Sequence, residues 1–117
     1  MANQPAIPQL KTSYSGIATG YANGSLTLAL GSEDPQGNVS MEVTFALAAN
    51  GKQERYSCQG QVTKERTVTL KCSADSAANF MLDMKGFVYQ DGHMEGTLVA
   101  MDAFDASYRH TYHWSVS

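Results

Sequence analysis

The sequence has little charge, little cysteine and no helical periodicity, and each absence removes a class of function. Its 117 residues carry 8 basic and 11 acidic side chains, for a net charge of -3, with no run of five of one sign. No basic stripe is present to track a phosphate backbone, which argues against nucleic acid as a partner. No charged tail is present either. No apolar stretch approaches the ~20 residues that a helical span needs, so no transmembrane segment is expected. The first ten residues lack a positive n-region and an apolar core, so they read as the start of a mature chain rather than a signal peptide. The chain has no Gly-x-Ser-x-Gly elbow, no phosphate-cradling glycine loop and no His-Glu-x-x-His. Asp83, Asp91, Asp102 and Asp105 fall on outer faces and loops. No catalytic constellation and no cofactor site are therefore expected, and the protein is read as a non-enzyme. With two cysteines and no further ligands at finger spacing, no metal site is expected.

What the chain does have is alternation. Short runs of apolar and polar residues with period two are separated by turn chemistry, the pattern of an antiparallel meander. Eight strands are predicted, over 13–22, 25–31, 38–49, 52–62, 66–73, 79–90, 93–101 and 107–116, preceded by a flexible arm over 1–12. Turn residues suggest the registers. Asn23-Gly24 as a two-residue turn sets Ile17, Thr19 and Tyr21 opposite Leu30, Leu28 and Leu26. The loop over 33–37 sets Leu30 opposite Val39. Asn50-Gly51 sets Val43 opposite Cys58 and Phe45 opposite Tyr56. A turn centred on Glu65 pairs Val62 with Val68, Gly60 with Leu70 and Cys58 with Cys72. At Gln90-Asp-Gly92 a two-residue turn would put two apolar sets on opposite faces. A three-residue loop with Gly92 left-handed puts them on one face, with Gly86 across from Gly96. A last loop centred on Phe104 sets Leu98 opposite His110 and Met94 opposite Trp114. One apolar face along eight short-looped strands predicts an all-β single domain over 13–117. The expected fold is an eight-stranded antiparallel up-and-down β-barrel, with a two-sheet β-sandwich as the alternative.

Cys58 and Cys72, face to face on adjacent strands, are predicted to form a disulfide. Directly opposed residues in a non-hydrogen-bonded pair lie about 4.5 Å apart at Cα, near the low end of disulfide geometry. The closed loop would stabilise the fold by about 3 kcal/mol in the chain-entropy model. A disulfide implies an oxidising compartment: secreted, periplasmic or cell surface. Two glycosylation tripeptides, at Asn23 and Asn38, both fall at turns.

The densest stretch of chemistry is Tyr108-Arg-His-Thr-Tyr-His-Trp114. Period two sends Tyr108, His110, Tyr112 and Trp114 inward, and Arg109, Thr111 and His113 outward. His110 and His113 thus cannot chelate one ion together. Tyr21, Tyr56, Tyr108, His110, Tyr112 and Trp114 form the expected wall of a pocket for a small apolar ligand. The other reading is a filled core whose polar groups satisfy one another. Inward Gly60, Gly86 and Gly96 either leave space or let Tyr112 or Trp114 lie across them. Outside, Glu95 is expected to face His113. The small residues Gly16, Ala18, Gly20, Ala22 and Ala29 are expected to form a flat outer face on the first two strands, open to a homo-oligomer contact or to the arm. Phe87 and Tyr89 make a second apolar patch.

In strand count and length the architecture resembles the small barrels of the lipocalin, avidin and fatty-acid-binding group, nearest in length to avidin, over residues 13–116. The Gly-x-Trp of lipocalin and avidin first strands is absent here, where the strand reads Tyr14-Ser-Gly-Ile-Ala-Thr-Gly20. The resemblance implies a fold, not a function. Two functional expectations follow. One is an extracytoplasmic barrel that holds a small apolar or aromatic ligand inside. The other is a secreted or envelope interaction or inhibitor protein that acts through its outer surface and loops.

Overall fold

Alternation is realised as eight strands: β1 Ser13–Gly20, β2 Gly24–Glu33, β3 Asn38–Leu47, β4 Gln53–Val62, β5 Thr67–Ala74, β6 Phe80–Val88, β7 Met94–Asp102 and β8 Asp105–Val116. In the computed structural model, which describes residues 6–117, each strand pairs antiparallel with the next. β1 also pairs with β8, so the sheet closes into a barrel. Closure leaves no open edge. The sandwich alternative is excluded.

Two hairpins keep the predicted register throughout. β4 and β5 pair Val62 with Val68, Gly60 with Leu70 and Cys58 with Cys72. The two cysteines are joined by a disulfide and buried in the core. β6 and β7 pair Val88 with Met94 and Gly86 with Gly96 across the three-residue loop, with Gly92 at φ 92°. That positive φ is why glycine stands at 92.

Three registers differ from expectation by two residues, which preserves the faces because the side-chain period is two. Leu30 lies opposite Met41 rather than Val39, and a bulge follows between Leu30 and Ser32. Asp34 Oδ1 accepts the backbone N–H groups of Gln36 and Asn38, which holds a longer loop than the turn pattern implied. Val43 lies opposite Tyr56 rather than Cys58. The Leu47 carbonyl accepts the Gly51 N–H, so the β3–β4 turn is wider than an Asn-Gly hairpin. Leu98 lies opposite Tyr112 rather than His110, because a bulge at Met101/Asp102 advances β8.

The first hairpin differs by an odd number, and the faces of β1 exchange. Ile17 lies opposite Ser25, not Leu30, a slip of five positions. The cause is the role of Gly24. It is no turn residue but the first residue of β2, without positive φ. A β-carbon there would run into the Ala46 carbonyl and lie 2.9 Å from the Phe45 ring. Glycine is needed at 24 for close strand approach rather than for turning. Tyr14 and Ala18 consequently face the core, while Ile17 is 58% exposed and Tyr21 69% exposed.

This overturns the flat outer face expected of Gly16, Ala18, Gly20, Ala22 and Ala29. Ala18 is fully buried and Ala22 packs against the core, with Gly16 on the same side of β1 as Ala18. A β-carbon on Gly16 would collide with the Ser115 and Val116 backbone of β8, so that glycine serves barrel closure. Ala29 remains outward and exposed, and Gly20, also exposed, lies on the Ala18 side of β1.

The core holds Trp114, Leu26, Leu28, Leu70, Met84, Met94, Val43, Val62, Val68 and Val116, each almost wholly shielded from solvent. Part of the N-terminal arm joins it. Leu10 is buried and Ile7 packs against the cluster. The Leu10 N–H donates to Glu33 Oε1 at 2.9 Å, and the Lys11 N–H donates to the Tyr14 hydroxyl at 2.9 Å. These contacts seal the barrel end that carries the β2–β3, β4–β5 and β6–β7 loops. Residues 1–5 of the expected arm lie outside the described residues.

Candidate ligand pocket at the open barrel end

The two barrel ends are filled differently. At the sealed end the Trp114 indole lies across Gly86, where a β-carbon would sit 2.6 Å from its Cζ2. Its Nε1–H donates to the Thr97 carbonyl at 2.9 Å, so the one polar atom of the ring is satisfied. Gly86 and Gly96 approach backbone to backbone beneath it. Gly86 makes room for the tryptophan, and Gly96 for the close approach of the β6 backbone. Trp114 is fully buried here and does not line the cavity at the opposite end.

The opposite end carries the β1–β2, β3–β4, β5–β6 and β7–β8 connections and holds a cavity of about 280 Å³. Phe45 and Leu47 of β3, Tyr56 of β4, Phe80 and Leu82 of β6, Leu98 and Ala100 of β7, and Tyr108 and Tyr112 of β8 line it. Lys52, Gln53 and Glu54 complete the lining beside the β3–β4 turn. Five of these side chains are aromatic. Phe45 meets Tyr112 edge to face at 5.7 Å, and Phe80 meets Tyr108 at 6.1 Å. Such contacts hold the rings in fixed orientations.

Of the residues expected in a pocket, Tyr56, Tyr108 and Tyr112 line this one. Tyr21 and His110 do not. Tyr21 leaves β1 on the exchanged face and stacks on the His110 ring at 3.7 Å and 8°, beside the mouth. His110 in turn meets Tyr108 edge to face at 4.8 Å. The result is an aromatic ledge from Phe80 through Tyr108 and His110 to Tyr21. Phe45, Leu47, Phe80, Leu82, Leu98 and Ala100 were not singled out for the pocket, although alternation already placed them inward. Parity tells which face a residue takes; only the register tells how deep along the barrel it lies.

The electrostatics of the pocket are set by burial. The Tyr56 phenol is pushed up to about 12, first by desolvation, with the Glu54 carboxylate and the Tyr108 and Tyr112 phenols adding to it. Tyr112 is also raised, again chiefly by burial. Both remain neutral at ordinary pH. Among the described residues neither hydroxyl has a hydrogen-bond partner in the protein, and no side-chain oxygen is both sealed from solvent and unpaired. Both hydroxyls are therefore within reach of solvent. Glu54 accepts the Ser76 hydroxyl. Lys52 is exposed at the lip and forms no ion pair, since both ion pairs of the described residues belong to His93.

Other expected pairs are redistributed. Glu95 lies opposite Ser115 and accepts the Tyr89 hydroxyl at 2.9 Å, while His113 lies exposed opposite Thr97. The two-residue advance of β8 separates Glu95 from His113. Among the described residues no three His, Cys, Asp or Glu side chains gather as metal ligands. No helix among them is long and apolar enough to cross a membrane. No family model matches the chain, and no curated protein matches it.

Proposed function

We propose that this barrel is a binding module for a small apolar or aromatic ligand, held at its open end and released unchanged. The observation that carries the reading is the contrast in filling. One end buries Trp114 and Leu10 of the arm, while the other keeps about 280 Å³ between aromatic walls. A cavity near 300 Å³ with apolar walls and few polar groups is the usual form of a small-ligand site. Its size suits a single ring or a short acyl chain. The Cys58–Cys72 disulfide supports an extracytoplasmic setting, whether secreted, periplasmic or cell surface. The alternative, an interaction protein working through its outer surface, loses the small-residue face that motivated it.

The test is native against denatured mass of the protein purified from its own source, followed by titration with monocyclic aromatics. An adduct lost on denaturation, or millimolar-or-better binding of such probes, supports the module. A bare native mass together with no binding of any probe would sink it.

A further inference from the structure

Two phenols that line the pocket, Tyr56 and Tyr112, are reached by solvent and have no protein hydrogen-bond partner among the described residues. A half-buried hydroxyl in such a place is satisfied by water or by a ligand atom. The phenol O–H is the better donor of its two roles, so the missing partner is an acceptor. Charge narrows the ligand further. Leu82, Leu98, Ala100 and Phe45 offer no counter-ion at depth, and an ionised group brought among them would lose its water uncompensated. At the lip Lys52 and Glu54 stand two residues apart with opposite sign, so the mouth favours neither anion nor cation.

We infer that the ligand is an uncharged, compact aromatic or apolar molecule bearing one hydrogen-bond acceptor, such as a carbonyl, which receives the Tyr56 and Tyr112 hydroxyls. This rests on the pocket reading above. The apolar body occupies the floor between Leu82 and Leu98, and the acceptor sits between β4 and β8. Tyr108, on the rim, closes over the ring edge.

Three probes of matched size separate the possibilities: acetophenone (neutral acceptor), ethylbenzene (no acceptor) and benzoate (anion). Each is titrated into the ¹⁵N-labelled full chain and followed by amide shifts. The expected result is acetophenone binding about five- to tenfold tighter than ethylbenzene, the worth of one or two buried hydrogen bonds. In the Tyr56→Phe/Tyr112→Phe double variant that ratio falls to about one. If the double variant does not fold, Tyr56→Phe alone is expected to lower the ratio at least twofold. A wild-type ratio of one, or a ratio that survives the substitutions, overturns the acceptor and leaves the pocket. Benzoate binding tighter than acetophenone overturns neutrality and hands the site to Lys52. No binding of any of the three overturns this inference and the pocket together.

Discussion

The sealed and open ends of this barrel are built from the same eight strands with the same alternation, yet one is solid and the other hollow. At the sealed end one large ring lies across Gly86, and Leu10 of the arm is buried in the same core. At the open end the large residues stand around the circumference instead. Phe45 meets Tyr112 and Phe80 meets Tyr108 edge to face, and with Tyr56 they surround the cavity. Both ends hold aromatic side chains. What differs is placement: the Trp114 ring lies across Gly86, whereas the open-end rings surround a cavity.

That contrast can be broken from either end. Trp114→Ala removes the plug and should cost about 3–5 kcal/mol in urea unfolding, the range for deleting a buried aromatic ring. A loss below about 1 kcal/mol would show that the sealed end collapses readily and is no true plug. Replacing both cysteines by alanine should cost about 3 kcal/mol, mainly through the unfolded chain. Because the bridge spans β4 and β5, the loss should appear in stability while leaving the pocket in place, as checked by probe binding to the folded variant. Leu10→Ala should cost about 2 kcal/mol and should not alter probe affinity, since Leu10 closes the other end. At the open end Tyr56→Phe should change stability at neutral pH by no more than about 0.5 kcal/mol, because its hydroxyl makes no protein bond.

The same residue sets a pH effect. The Tyr56 phenol lies near 10.0 when unfolded and about 12 when folded. Above pH 10 the unfolded chain loses a proton that the folded chain keeps, so the folded state binds more protons and stability falls with rising pH. The contribution is intact below pH 10 and lost progressively as pH climbs towards 12. Tyr14 and Tyr112, also raised by burial, act with the same sign. Denaturant melts at several alkaline pH values should show a shallower fall in Tyr56→Phe than in the wild type. An identical fall would mean that Tyr56 is not shielded.

How much of this was legible in the sequence depended on what each turn had to do. Gly92 turns the chain with a positive φ, and its hairpin was read in register. The Val62/Val68 and Cys58/Cys72 pairs reinforced one another, so the disulfide followed. Gly24 was misread because Asn-Gly has two meanings. Here the glycine admits a neighbouring strand, and the β1 faces exchanged with it. The bulges at Leu30/Ser32 and Met101/Asp102 leave faces untouched but shift depth by two residues. Tyr56, Tyr108 and Tyr112 line the open-end cavity on the faces that alternation gave them, and Trp114 lies at the sealed end. Alternation carries no information on depth, and depth separates wall from plug.

Under the proposed function the open end binds the ligand and the sealed end does not. The direct measurement is an acetophenone titration of the ¹⁵N-labelled protein, with amide shifts mapped along the barrel. The account predicts saturating shifts at Phe45, Tyr56, Leu98, Ala100 and Tyr112, and none at Val62, Val68, Met94 or the Trp114 indole N–H. Shifts centred on the sealed end, or on the outer face around Ile17 and Phe87, would contradict it.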